Sequence, residues 1–240
     1  MKYLIVSGDS FTCSDYRSSA HPELDTSWPM WPEILGKKLG MKVVNLANSG
    51  KGNEFIYSSL QDYISTMPDK SEIGLVIAAW SQCQRRDYQI QEEWWDNRTD
   101  SVGDILYWVK RSLRAFTSFE NMCLRYNIPY AHTQMIDLYK NYLEGGIGGR
   151  YSGDGVLYDG DIIKDEGKII RMILKHEDII DTSKFIGWPL TTSVGGYPLN
   201  RMVFGEKLGA DTPWIISKLD EHPNAAGQVK IAEYLYTYVL

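Results

Sequence analysis

Cysteine is scarce in this chain. Cys13, Cys83 and Cys123 are spread through 240 residues. An odd number at wide spacing gives no disulfide framework and suits a reducing compartment, so a cytoplasmic setting is expected. Histidine is also sparse, at four residues, and no Cys/His spacing matches a zinc site. Long apolar runs are missing. A membrane span needs about 20 apolar residues, and the first run, Tyr3 to Val6, is too short even for the core of a signal peptide. Basic excess is missing as well. The net charge of -6 disfavours nucleic acid, whose phosphates need a basic surface. Asp154, Asp159 and Asp161 miss the calcium-loop spacing. Gly145 to Arg150 lacks the Lys-Ser/Thr of a phosphate loop and reads as a turn. Neither a metal nor a cofactor is expected, and neither nucleic acid nor membrane is an expected partner.

What is present is an ordinary globular composition, 43% apolar and 23% charged. No linker interrupts it, so residues 1–240 read as one domain. Short apolar runs at Lys2–Val6, Lys42–Leu46, Ile73–Ala79 and Ile128–Thr133 predict buried strands. Helices are predicted between them. Pro32–Leu39 has Pro at its start and Gly40 as its stop. Asn53 is expected to cap a helix running to Thr66. Leu106, Val109, Leu113, Phe116 and Cys123 mark a long amphipathic helix to about Tyr126. Ala225–Val239 closes the chain. Strands alternating with helices predict a three-layer α/β/α fold, flavodoxin-like, with a central parallel sheet of about five strands. Residues from about 138 to 217, with a helix near Asp161–Lys175, read as an insertion before the last loop. It would shape substrate access, decorate the domain or form an oligomer contact.

In such a sheet the working site lies at the carboxyl ends of the strands. Gly8-Asp9-Ser10 follows the first strand directly. Asp220-Glu221-His222-Pro223-Asn224 stands just before the last helix. A serine on a strand-ending turn can present a nucleophile, and a carboxylate two residues from an imidazole can supply orienter and base. The bland alternatives are a locally bonded turn at Asp9 and Ser10, and a helix cap at Asp220 or Asn224 beside a surface histidine. His132 ends the fourth strand and either lines the rim or is a buried, hydrogen-bonded residue. His21 and His176 have no partner pattern. Cys13 is a rival nucleophile, more simply read as a packing residue.

These residues resemble the SGNH, or GDSL, hydrolases. Gly8-Asp9-Ser10-Phe11-Thr12 looks like their first block, Asn45-Leu46-Ala47-Asn48-Ser49-Gly50 their second, and Asp220 to Asn224 with Gly227 their last. The resemblance implies Ser10 as nucleophile, His222 as base and Asp220 as its orienter. It also implies backbone N–H groups of Ser10 and Gly50 facing the oxyanion. Two departures stand out. The family aspartate usually lies three residues before the histidine, where this chain has Leu219. The third block, Gly-x-Asn-Asp, normally supplies an asparagine to the oxyanion hole, and Ala79-Trp80-Ser81-Gln82 has none. Ser81 or Gln82 takes its place, or two backbone donors suffice. Arg85 stabilises negative charge, clamps an anionic substrate or is a surface charge.

Asn53, Trp80 and Arg85 are expected to contact substrate. Eight tryptophans and sixteen tyrosines, among them Trp28 and Trp31 in the first strand-to-helix crossover, Trp80 on the rim and Trp94 and Trp95 just beyond it, offer flat faces for sugar rings. The expected activity is a serine esterase removing short acyl groups, acetyl foremost, from a carbohydrate or other small polar ester. Its alternatives are an O-acyltransferase on the same fold and a non-catalytic binding or structural module, with association in a larger assembly left open.

Overall fold

A computed structural model describes residues 1–97, 103–139, 162–190, 198–199, 201 and 212–240. Its strands are β1 (Tyr3–Ser7), β2 (Lys42–Asn45), β3 (Ile73–Trp80), β4 (Arg86–Ile90), β5 (Glu93–Asn97), β6 (Tyr130–Gln134), β7 (Phe185–Ile186), β8 (Ile215–Ser217) and β9 (Asp220–Pro223). Its α-helices are α1 (Trp31–Leu39), α2 (Asn53–Thr66), α3 (Ile105–Arg125), α4 (Ile162–His176) and α5 (Ala225–Val239).

The main sheet has the order β2-β1-β3-β6-β7, and each of its pairings is parallel. Its strands are apolar on both faces because helices cover both. Alternation along each strand sorts the side chains. Leu4, Val6, Leu75, Ile77 and Ala79 pack with Trp31 and Leu35 of α1 and Ile231 and Leu235 of α5. Ile5, Val76, Ala78 and Trp80 pack on the other side with Phe55 and Leu60 of α2, Phe116 of α3 and Ile169 of α4. This is the expected three-layer α/β/α arrangement.

The 138–217 region needs correction as an insertion. Within it, α4 packs on α3 and β7 pairs with β6. Ile169, Ile173, Ile180 and Phe185 are buried in the core. Part of the region thus supplies a core helix and the edge strand of the main sheet. Gly145 to Arg150 and Asp154, Asp159 and Asp161 lie outside the described residues.

A second correction concerns the start of α2. Asn53 does not cap it. Gly52 is the cap position and makes no side-chain cap bond. The Asp87 carboxylate from β4 accepts from Gly52 N–H at 2.9 Å and Phe55 N–H at 3.0 Å instead. That places β4 and its antiparallel partner β5 against the N-terminus of α2. Among the described residues no helix is long and apolar enough to cross a membrane, and no group of three His, Cys, Asp or Glu side chains is placed to hold a metal ion.

Candidate active site

β1 lies between β2 and β3, so the loops after all three strands meet at one rim, where the strand order reverses. Past Ser7 the chain turns sharply. Thr12 and Cys13 N–H groups both donate to the Asp9 carbonyl, at 2.9 and 3.0 Å. Phe11 N–H donates to Asp9 Oδ1 at 3.0 Å. The turn holds Ser10 at the rim, 6% exposed.

Ser10 Oγ stands 2.7 Å from His222 Nε2. His222 Nδ1 stands 2.6 Å from Asp220 Oδ1. Both residues belong to β9, which pairs with β8 in a separate two-stranded ribbon. Residues two apart on a strand project from the same face. The Asp-x-His spacing, which departs from the family pattern, is therefore natural on a strand: it sets carboxylate and imidazole side by side. His222 N–H also donates to Asp220 Oδ1, at 3.1 Å. Burial alone would raise the Asp220 pKa. Hydrogen bonds from His222, Ser18 and Tyr16 outweigh it and hold the carboxylate well below its ordinary value. Asn224 accepts from Gly227 N–H at 3.0 Å and caps α5. The residue that caps α5 and the imidazole that faces Ser10 are thus different residues of one segment.

Asp9 faces away from Ser10 and is fully buried. Its Oδ2 accepts from Ser81 Oγ at 2.7 Å and Arg85 Nη1 at 3.1 Å. Ser81 N–H donates to Asn53 Oδ1 at 2.8 Å, and Asn53 Nδ2 donates to the Ser81 carbonyl at 3.1 Å and Ser112 Oγ at 2.9 Å. These contacts correct three expectations. Ser81 spends both its hydroxyl and its N–H on buried partners and has no donor for an oxyanion. Asn53 is buried, and both ends of its amide are engaged in joining α2 to the end of β3 and to α3. Arg85 also donates to the Lys51 carbonyl at 3.0 Å, so it braces the turn that carries Ser10. Trp80 is a fourth correction: it is fully buried and its Nε1 donates to His132 Nδ1 at 3.1 Å. Gln82 is half-buried at the rim, its Oε1 accepting from Gln84 Nε2 at 2.9 Å.

The turn after β2 is tied to the turn that carries Ser10. Asn48 N–H donates to the Gly8 carbonyl at 3.2 Å, and Asn45 Nδ2 to the Thr12 carbonyl at 2.8 Å. Gly50 has φ of 79°, a left-handed conformation that costs a side chain about 1–2 kcal/mol.

His132 is buried, with Glu120 Oε2 3.5 Å from Nε2, and burial lowers its pKa. His21 and His176 do have partners: Ser217 Oγ at 2.7 Å and Thr117 Oγ1 at 2.8 Å. Cys13 is buried, its Sγ donates to Asp15 Oδ1 at 2.6 Å, and burial pushes its pKa up to about 11. That environment disfavours a thiolate nucleophile. Trp31 is buried like Trp80, Trp28 and Trp94 are half-buried, and Trp95 is exposed.

Sequence reasoning missed Tyr16. Its hydroxyl donates to Asp220 Oδ2 at 2.7 Å and lies 2.9 Å from His222 Nδ1. Its ring stacks on the imidazole, 4.0 Å between centroids. Nothing around position 16 separates it from the other fifteen tyrosines.

No family model and no curated protein matches the sequence. Solved structures do match the fold. A G-D-S-L family protein of lipolytic type from Desulfitobacterium hafniense DCB-2 aligns over 100% of both chains, with TM-score 0.53 and 14% identity. The esterase EstA from Pseudoalteromonas sp. aligns over 100% of this chain and 97% of its own, with TM-score 0.53 and 13% identity. TesA aligns over 100% of both, with TM-score 0.52 and 16% identity. The chain has the fold of the SGNH hydrolases.

Proposed function

We propose that this protein is a serine ester hydrolase working through an acyl-enzyme on Ser10. One observation carries the reading: Ser10 Oγ, both ring nitrogens of His222 and Asp220 Oδ1 form a continuous path, with steps of 2.7 and 2.6 Å. That is the order of groups proton transfer needs.

Ser10 Oγ attacks the ester carbonyl as His222 Nε2 takes its proton. Asp220 holds Nδ1–H and stabilises the imidazolium. The Ser10 and Gly50 N–H groups receive the oxyanion, with the Gln82 amide as the third donor in place of asparagine. Collapse breaks the ester C–O bond, and His222 returns the proton to the departing alcohol. Water then attacks the acyl group with His222 again as base, releasing acid and free Ser10. Each oxyanion donor is worth about 3–4 kcal/mol in the transition state.

The proposed substrate is a short-chain acyl ester, acetyl foremost, of a carbohydrate or other small polar alcohol. Tyr88 and Trp95 support the polar, sugar-like part. They oppose each other across β4 and β5, are 42% and 50% exposed, and offer flat faces. The three buried free thiols support a reducing, cytoplasmic setting.

The test is turnover of a p-nitrophenyl acyl series by the wild type, Ser10→Ala and His222→Ala. Short chains should be preferred, and either substitution should lower kcat by about 10³-fold or more. Equal rates in all three proteins would refute the reading. Acylated sugar in place of free acid, when acceptor sugars are added, would reassign the protein as a transferase.

A further inference from the structure

Tyr16 enters the site from the loop after the nucleophile, 204 positions from Asp220 in sequence. Each oxygen of the Asp220 carboxylate has its own partners there. Oδ1 takes the ring and backbone nitrogens of His222, Oδ2 takes the Tyr16 hydroxyl at 2.7 Å, and the Ser18 side chain also bonds the carboxylate. The imidazole lies between two rings, Tyr16 at 4.0 Å and Phe11 at 4.8 Å. A second tie joins the same two segments. Ser217 Oγ accepts from Leu219 and Asp220 N–H groups, each at 3.1 Å, and pairs with His21 Nε2 at 2.7 Å.

The strand spacing sets Asp220 and His222 on one face, but it does not fix the rotation of the carboxylate plane. Asp220 bonds the backbone of His222 as well as its ring, so Oδ2 needs a separate anchor. We infer that Tyr16 is a positioning residue of the site: its hydroxyl fixes the Asp220 carboxylate against His222 and tempers the pull of that carboxylate on the imidazolium. The inference rests on the esterase reading for its catalytic consequence, not for its geometry.

The chemistry follows from which atom donates. Burial and the Asp220 contact both push the Tyr16 pKa up, so the phenol keeps its proton across the working range. That proton goes to Oδ2. A carboxylate that already accepts from a phenol stabilises an adjacent imidazolium less than one without it. The base is thereby held available for proton uptake, and its ring is held toward Ser10. Among the described residues, the titratable groups in contact with Asp220 are Tyr16 and His222.

Two substitutions test this with opposite signs. Tyr16→Phe keeps the stacked ring and removes the hydroxyl. It should lower kcat by about 10–100-fold with KM within about twofold, and move the acid limb of the kcat/KM profile to higher pH. Site-specific 3-fluorotyrosine at position 16 keeps the shape and strengthens the donor. It should move the acid limb to lower pH. NMR titration of the His222 imidazole should follow both displacements with no substrate present, provided thermal melts show folded protein. His222 titrations unchanged in both variants would overturn the inference even if turnover survived. Opposite displacements of the titrations without Ser10-dependent turnover in the wild type would uphold the inference and refute the esterase reading alone.

Discussion

Arg85 Nη1 lies 3.1 Å from Asp9 Oδ2, and both side chains are withdrawn from solvent beside the Ser10 turn. The segment after β3, which in the SGNH pattern supplies an oxyanion asparagine, here braces the turn that carries Ser10. Arg85→Met should therefore act on stability. Leaving a buried carboxylate without its counter-charge typically costs about 3–5 kcal/mol, measurable by urea unfolding. Unchanged stability with a raised KM would return Arg85 to the substrate.

Asp87 serves α2 from outside the helix. Asp87→Ala should cost about 1–2 kcal/mol, the usual loss for a removed helix cap. Urea midpoints report it. An effect under about 0.3 kcal/mol would mean that water replaces the carboxylate at Gly52 and Phe55.

Gly227 sits where α5 meets the ribbon. A Cβ there would press into the Trp214 carbonyl and stand 3.1 Å from Pro223 Cβ. Gly227→Ala should cost about 1–3 kcal/mol by overpacking and lower kcat, because the displaced segment carries His222. Wild-type melting and turnover would show that the contact yields freely.

Much of the fold was legible because buried parallel strands read as continuous apolar runs, as Ile73–Trp80 does. The β4–β5 hairpin was not. Its two turn residues, Gln91 and Glu92, adopt positive φ of 50° and 68°, where Asn-Gly is the usual signal. β7 has two residues, too few to show a pattern. At the site, the segments of Ser10, Asp220 and His222, which the structure brings together, were legible as local motifs. The places of Ser81, Asn53 and Arg85 were not, because each is set by partners distant in sequence. Tyr16 was invisible for the same reason.

Acid stability follows from Asp220. Its folded-state pKa is depressed, so its contribution is fully present above the ordinary carboxylate value of 3.8. It is lost as pH falls below that toward the folded value. Asp220→Asn should flatten the stability curve of the protein in this acid window. Parallel curves for the two proteins, from urea midpoints at each pH, would contradict the pairing.

The central claim is a nucleophile at Ser10 activated by His222. Intact-mass and peptide mass spectrometry after treatment with a fluorophosphonate tests it most directly. The account predicts one adduct, on Ser10, formed fast in the wild type, absent in Ser10→Ala and strongly slowed in His222→Ala. No adduct on the wild type, or one on another residue that survives Ser10→Ala, would contradict it.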